Sequence, residues 1–447
     1  MSDSVKELTN KLGMNSGKKK PKAEHHLKGR IFPFHTRTQE RVKFTDDFNE
    51  IVGIIARCSV GKIPILEDIS NEHLSNIMNR LDISSDILNE EVEDLFSVNF
   101  DLIKNPIMFQ YFPVLMDTKK QKDESRGKAL LGYYITKLLK LDENIVWKEY
   151  ISNNNVTDLY ESVYVECLPE IRNYKTLKDE FHFFNQEELV NRFTRDLAQL
   201  MKNEKIFLND IGKLISYYFF YYILEQSFHL VSSKCNPIQL WFAYDKEKVT
   251  AGRDCVQKGY KIYSEVSREL LINNDLLDYL NILSNKEEYH SYEEIMRDEE
   301  NLPNLGMNLL NFNSQFADSL DEDYSSEMDI HVQIKQLKKY LKINISNETA
   351  KRYRKSFDEF SGLTFIKSRG RLGYVLNATQ ELILLFVGVI IGDKDKILLN
   401  KLFKEFEIRG LYFDKQSRKE IISFFEDVNI LEKLSDSGDA QYVKSIL

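Results

Sequence analysis

Proline and glycine are scarce in this chain, whose 447 residues include only 8 prolines and 18 glycines. An all-β fold needs turns at short intervals and usually contains more of both residues. The scarcity argues against many short strands and favours long helices joined by polar turns. Because 42% of the residues are hydrophobic, we expect a mainly α-helical protein with roughly two to four domains.

Cysteine is equally sparse. The four cysteines form no CxxC pair and no regular framework; they are Cys58, Cys167, Cys235 and Cys255. Scattered thiols are typical of reduced, structural residues in a cytoplasmic protein, and they argue against a disulfide scaffold or a cysteine zinc site. The eight histidines show no metal-ligand spacing either. We therefore expect neither a metal nor a cofactor.

The chain also lacks a long apolar run. Its most apolar stretch, residues 214–224, is about half of the ~20 residues that a membrane span needs. The first residues lack the apolar centre of a secretion signal. The stretch predicts a helix buried on all sides or an aromatic interface helix, and we expect a soluble, cytoplasmic protein without a membrane partner.

Recognisable catalytic motifs are missing as well. Gly61 and Lys62 lack the second glycine and the hydroxyl residue of a phosphate-binding loop. Residues 245–248 match the E-x-K of a metal-dependent nuclease only loosely, and the H-x-K of residues 26–28 is an isolated match in a polar segment. No residue is assigned a catalytic role, and the sequence predicts a protein that is not an enzyme.

Charge is unevenly distributed along the chain, whose net charge is -9. Residues 1–43 carry eleven Lys and Arg against four acids, 286–329 carry thirteen acids against two basic residues, and 331–447 carry 21 basic residues against 15 acids. We predict a basic flexible arm over 1–43 and an α-helical body over 44–285. An acidic linker or insertion, partly disordered, follows over 286–330, and a basic C-terminal domain covers 331–447.

Apolar residues in the body recur at i, i+3 and i+4, the spacing of amphipathic helices. The clearest stripes lie within residues 69–81, 130–139 and 189–201. Such helices bury one face each against a neighbour, which predicts a body of packed antiparallel helical hairpins.

Residues 363–447 have the element order of a winged helix-turn-helix. Two β-type runs, 363–366 and 374–376, precede three helical patterns, and two further strands, 430–434 and 441–446, enclose a turn. The helices are predicted to end at Gly392, at Gly410 and near Val428, the second of them spanning 396–409. Three helices followed by a β-hairpin predict a winged-helix-like module.

Capping residues locate the first and third helices of this module. Asn377 is followed by Gln380 and Ser417 by Glu420, the spacing of a capping box. We predict N-caps at Asn377 and Ser417, in a third helix that starts near Asp414. In a winged helix the third helix enters a DNA groove.

Five basic residues of this region are candidate nucleic-acid-binding residues. Lys415, Arg418 and Lys419 crowd the first turn of the third helix, and Arg369 and Arg371 could form a second phosphate-binding loop. Two aspartates in the turn at 435–439 and several acids on the third helix favour docking to a protein instead. Both uses of the module stay open.

Motifs at both ends of the chain carry a family resemblance. They are GRIFPFHT at 29–36, GLYFD at 410–414 and LSDSGDAQYV at 434–443. Together with the chain length, they resemble the DptG family, a component of the bacterial DNA phosphorothioation-dependent restriction system. The resemblance covers well under a third of the chain. It implies a subunit that acts with the partners DptF and DptH, in which nucleotide hydrolysis belongs to the partners.

The resemblance and the missing motifs together predict a non-catalytic subunit of a phosphorothioation-dependent restriction complex for phage defence. Such a subunit would bridge its partners and could contact DNA. Two alternatives stay open. One is an unrecognised metal-dependent nuclease whose acids converge only in three dimensions, and the other is a winged-helix transcription regulator.

Overall fold

The computed structural model describes residues 2–14, 30–37, 41–44, 48–62, 70–81, 105–111, 119–153, 159–168, 170, 181–232, 237–244, 253–370, 373–433 and 441–446. Within these ranges it has sixteen α-helices, one 3-10 helix and seven short strands. The prediction of a mainly α-helical protein is therefore confirmed. None of the helices described is both long and apolar enough to cross a bilayer.

The helices in chain order are α1 (Asp3–Lys11), α2 (Asn49–Ser59), α3 (Ser70–Arg80), α4 (Lys119–Leu138), α5 (Ile145–Ile151), α6 (Leu159–Glu166), α7 (Glu187–Leu200), α8 (Glu204–Ser232), α9 (Asp254–Ser284), α10 (Tyr292–Arg297), α11 (Leu302–Leu320), α12 (Ile330–Asn344), α13 (Asn347–Thr364), α14 (Gln380–Ile391), α15 (Leu399–Ile408) and α16 (Lys415–Asp427). The 3-10 helix covers Pro106–Tyr111. The strands are β1 (Leu240–Ala243), β2 (Ile366–Ser368), β3 (Tyr374–Asn377), β4 (Lys396–Leu398), β5 (Leu411–Phe413), β6 (Leu431–Lys433) and β7 (Gln441–Lys444).

Helix α8 lies at the centre of the hydrophobic core. Every residue from 214 to 224 is buried, because apolar and aromatic side chains surround the helix and leave it no polar face. The ring of Phe220 stacks on Phe365 with 4.3 Å between centroids. Of the two interpretations of this stretch, the helix buried on all sides is confirmed.

The N-terminal region is more ordered than the prediction of a flexible arm over 1–43. Helix α1 buries Val5 and Leu8, and Lys11 forms an ion pair with Asp278 of α9 at 3.2 Å. The prediction was wrong for these residues, because it was based on the excess of basic residues and did not consider the apolar face of this helix. The basic run at 17–22 lies outside the described residues.

A second N-terminal segment, residues 30–37, enters the core beside α9. The side chains of Ile31, Phe32 and Phe34 are buried. Asn274 holds the segment, since its Oδ1 accepts hydrogen bonds from the backbone N–H groups of Arg30, Ile31 and Phe32 at 3.2, 3.0 and 3.1 Å. This segment also falls in the range predicted as flexible, and it is instead part of the core.

The acidic segment predicted as a linker or insertion over 286–330 contains two helices, α10 and α11. Helix α11 packs on α9 and α12 and buries an apolar stripe made of Leu305, Leu309, Phe312 and Phe316. Most of the acids that suggested a linker lie at the start of α10, after α11 or in the turns. The core extends continuously across residue 330, so the change of charge there does not mark a gap in packing.

A four-stranded sheet joins the body to the C-terminal region in the order β2-β3-β1-β5. Strand β1 is parallel to β3 and β5, and β2 is antiparallel to β3. The sequence analysis placed no strand in the body and expected one at 363–366. Instead, α13 continues to Thr364 and β2 begins at Ile366.

The last part of the chain contains α14, α15 and α16 and a three-stranded antiparallel sheet of order β4-β7-β6. Gly392 and Gly410 end α14 and α15 with φ of 55° and 83°, a region that glycine adopts easily. Three local predictions were wrong. Thr379 rather than Asn377 caps α14, Asp414 rather than Ser417 caps α16, and strand β4 occupies the predicted start of α15. The turn at 435–439 lies outside the described residues.

Candidate functional site

The first turn of α16 carries three of the predicted nucleic-acid-binding residues. Asp414 caps the helix by accepting a hydrogen bond from the Ser417 N–H at 2.9 Å, which satisfies one of the free donors at a helix start. Lys415 and Lys419 are exposed, whereas Arg418 is half-buried. Two of the three cations therefore project into solvent.

Beneath this turn, Arg253 from the start of α9 holds α16 in place. Its Nε and Nη2 donate to the two carboxylate oxygens of Asp414 at 2.7 and 2.5 Å, and Nη2 also donates to the Ser417 hydroxyl. Ser417 Oγ accepts a further hydrogen bond from the Tyr244 N–H at 2.9 Å. Burial alone would raise the pKa of Asp414, but the hydrogen bonds from Arg253 and Ser417 outweigh burial and lower it.

The Arg253–Asp414 pair lies where β1 and β5 end. In α/β folds, ligands commonly bind outside the carboxyl ends of parallel strands. Here the side chains of Arg253 and Asp414 are 5% and 14% exposed, so an internal ion pair occupies this position. Its role is to join α9, β1 and α16.

Arg418 is engaged inside the protein as well. Its Nε donates to the Phe413 carbonyl at 3.1 Å, and Nη2 forms an ion pair with Glu407 of α15. The guanidinium lies 4.9 Å from the centroid of the Phe403 ring, a cation–π distance. These contacts fasten α16 to α15 and leave Lys415 and Lys419 as the outward-facing cations of the predicted set on this helix.

Arg369 lies elsewhere, in the turn between β2 and β3. Its N–H donates to the Gly373 carbonyl at 2.8 Å and its Nη2 to Asn377 Oδ1 at 2.6 Å. This turn precedes β3, whereas Lys415 follows β5, and β3 and β5 lie on opposite sides of β1. Arg369 and Lys415 are therefore diagonally opposed across the sheet. Arg371 lies outside the described residues.

A cavity of about 570 Å³ lies between the helical body and the end of α15. Arg192, Tyr221, Glu225, His229 and Glu407 are among its lining residues. The Tyr221 hydroxyl donates to Glu225 Oε1 at 2.8 Å. Burial raises the pKa of Glu225 to about 7, although the hydrogen bond from Tyr221 and the charge of Arg192 oppose the rise. Glu225 is thus a carboxyl group that can gain or lose a proton near neutral pH.

The sequence analysis missed both Arg253 and Glu225. Arg253 has no periodic signal around it, and its partner Asp414 is 161 positions away. Glu225 had one available signal, since it directly follows the apolar stretch 214–224. Because that stretch is buried, the carboxyl group of the next residue on the same helix also lies in the interior and loses contact with water.

Metal ligands do not converge in the part of the chain that the structure describes, where no three His, Cys, Asp or Glu side chains are grouped to hold an ion. Cys58, Cys167 and Cys255 are free thiols. Cys235 and the loose nuclease-like and H-x-K matches at 245–248 and 26–28 lie outside the described residues.

Comparison with known proteins assigns no family to this chain. No protein-family model matches it, and no curated protein is significantly similar to it. The resemblance of its ends to the DptG family therefore stays a prediction.

Proposed function

We propose that this protein is a non-catalytic, cytoplasmic subunit of a phosphorothioation-dependent DNA restriction complex, and that its C-terminal module docks partner subunits. The observation that carries the proposal is the order of elements in that module. Helix α14, strand β4, helix α15, strand β5, helix α16 and strands β6 and β7 follow one another, with sheet order β4-β7-β6, while β5 pairs with β1 of the other sheet. Apart from the inserted β5, this order is similar to that of a winged helix-turn-helix, with α16 as its third helix.

The surface of the module favours a protein partner. Arg418 at the start of α16 is paired with Glu407. At the end of this helix the exposed Glu426 is paired with Lys433 at 2.6 Å, beside the exposed Asp427. Two apolar side chains are also exposed, Ile408 at the end of α15 by 52% and Val428 after α16 by 41%. Exposed apolar residues among acids are more useful for contact with a protein than with a polyanion. Direct DNA contact through Lys415 and Lys419 stays a separate prediction.

The segments that resemble the DptG family also support the proposal. Residues 30–36 lie in the core beside α9, where the Tyr353 hydroxyl donates to the Phe32 carbonyl at 3.1 Å. Strand β5, within the second motif, pairs with β1. Both segments thus pack in the central core. Proteins that contain the same two segments would be expected to pack their cores in the same way. The same resemblance names DptF and DptH as the partners that hydrolyse nucleotide and damage DNA.

Co-purification with these partners tests the proposal. The tagged chain should retain DptF and DptH from cells that express all three proteins. Ile408→Lys combined with Val428→Lys should lose at least one partner, because it places a charge at each of the two exposed apolar positions of the module. Met307→Lys is the matched control, since Met307 is 55% exposed on α11 and its change should leave both partners bound. The proposal fails if the unaltered chain retains neither.

Two further assays separate the proposal from its alternatives. Nicking of plasmid DNA by the pure protein with Mg²⁺ or Mn²⁺ would identify a nuclease. A sequence-specific footprint made by the protein alone would identify a transcription regulator. A non-catalytic docking subunit does neither.

A further inference from the structure

Two tyrosines and two arginines, one of each exposed and one half-buried, lie on a second surface formed by α9, α13 and the β2–β3 hairpin. We call it the tyrosine face and define it by Tyr260, Arg268, Arg354 and Tyr374. The rings of Tyr260 and Tyr374 stack with 5.6 Å between centroids and 27° between planes. Tyr374 is 57% exposed, so its ring contacts solvent while it stacks on the ring of Tyr260.

The elements that carry this face are held rigidly together. A Cβ at Gly259 would lie 2.2 Å from the Trp241 carbonyl oxygen, so glycine lets α9 rest directly on β1. The hydroxyls of Tyr263 and Ser267 both donate to Asp358 of α13, the first at 2.8 Å. These contacts fix α9, α13 and the sheet as one platform for the two tyrosines.

Two basic side chains lie near Tyr260. Arg268 is exposed and donates to the Ser264 carbonyl of its own helix at 3.0 Å. Arg354 forms an ion pair with Asp358 at 3.4 Å, and the two side chains are 28% and 37% exposed. Burial and the charges of Tyr374 and Asp358 raise the pKa of Tyr260, and the charges of Arg268 and Arg354 oppose the rise, which places both arginines within electrostatic range of its hydroxyl. The neighbouring sequence is basic too, with seven Lys and Arg against two acids over 351–371.

We propose that the tyrosine face binds single-stranded DNA. An exposed aromatic ring can stack on an unpaired base, and arginines beside it can neutralise the flanking phosphates. A duplex keeps its bases stacked inside the helix and offers no base face to Tyr374. The choice of DNA over RNA rests on the proposed function. The binding of a single-stranded nucleic acid is inferred from the stacked tyrosines and the two arginines, and this inference does not depend on the proposed function.

Fluorescence anisotropy of a labelled oligo(dT) titrated with the full chain tests this proposal. Tyr374→Ala should weaken binding roughly 5- to 100-fold, the usual effect of losing one base–aromatic stack. Tyr374→Phe keeps the ring and should bind as the unaltered chain does. Arg268→Gln combined with Arg354→Gln should reduce the slope of log affinity against log salt by about 0.7 for each arginine.

Arg195→Gln combined with Lys205→Gln is the matched control, because it removes two exposed cations from α7 and α8 and should leave oligo(dT) affinity unchanged. Arg195, like Arg268, contacts a backbone carbonyl of its own helix, at 3.3 Å. The proposal is overturned if the unaltered chain does not bind oligo(dT), if Tyr374→Ala and the arginine variant both bind like it, or if a duplex competes equally well. Tighter binding of oligo(rU) would assign the face to RNA and overturn the choice of DNA. Oligo(dT) binding by a chain that captures neither DptF nor DptH would support the face and contradict only the proposed function.

Discussion

The start of α16 and the tyrosine face both carry several basic residues but use them in opposite ways. At α16, Arg253 is paired with Asp414 and holds the helix to the body, and Arg418 is paired with Glu407 and holds it to α15. On the tyrosine face, the exposed Arg268 contacts a carbonyl of its own helix and lies within electrostatic range of the half-buried Tyr260. The comparison teaches that a count of basic residues does not identify a binding surface, because a buried cation must be neutralised by a nearby acid.

The strongest test of this difference is the removal of one charge from each region. Arg253→Met should lower the free energy of unfolding by about 3–5 kcal/mol, because it leaves the buried Asp414 carboxylate without its partner. Arg268→Met should change it by less than about 0.5 kcal/mol, since that side chain is exposed. Urea unfolding measures both. Equal losses in the two variants would show that the charges of both regions are used for stability.

Two glycines provide a test of the packing beneath the tyrosine face. Gly259→Ala should destabilise the protein by about 1–3 kcal/mol, because its Cβ must push α9 away from β1. Gly362→Ala on α13 meets no atom within 4 Å and should stabilise the helix by about 0.5–1 kcal/mol. Thermal unfolding should thus shift in opposite directions. A neutral Gly259→Ala would mean that α9 is not held tightly to β1.

The two perturbed carboxyl groups near the module should respond to pH with opposite signs. The pKa of Glu225 is raised from 4.5 to about 7, so its contribution to stability is present below about pH 4.5 and is lost as the pH rises through 7. The pKa of Asp414 is lowered from 3.8, so its contribution is present above about pH 4 and is lost in more acidic solution.

Urea unfolding at a series of pH values measures the Glu225 effect. The difference between the unaltered chain and Glu225→Gln should change by on the order of 1–2 kcal/mol between pH 4.5 and 7.5, since water in the cavity screens part of the shift. A difference that is constant over this range would show that the pKa of Glu225 is not raised in the folded protein.

Helical periodicity predicted much of the fold. The stripes within 130–139 and 189–201 are α4 and α7, because burial of one helix face repeats about every 3.6 residues. Predictions based mainly on charge missed ordered helices. Helix α11 has a regular apolar stripe ending at Phe316, but the acids around it led to the prediction of a linker or insertion.

The candidate site could be predicted only in part. The exposure of Lys415 and Lys419 follows from their polar positions on an amphipathic helix. The pairing of Arg418 with Glu407 joins two helices, and that of Arg253 with Asp414 joins elements 161 positions apart. An ion pair between residues far apart in the sequence depends on the order of the strands in the sheet. Local sequence patterns do not predict that order.

By itself, the sequence determined that the protein is mainly helical, that residues 214–224 form an apolar helix, and that Lys415 and Lys419 face solvent. Each of these follows from local periodicity and polarity. Only the tertiary structure decided which cations are paired with acids and which lie near the stacked tyrosines. The pairing of β1 with β3 and β5 places α9 against the β2–β3 hairpin and so brings Tyr260 to Tyr374. That contact is non-local, and its energy comes from packing that exists only once the chain is folded.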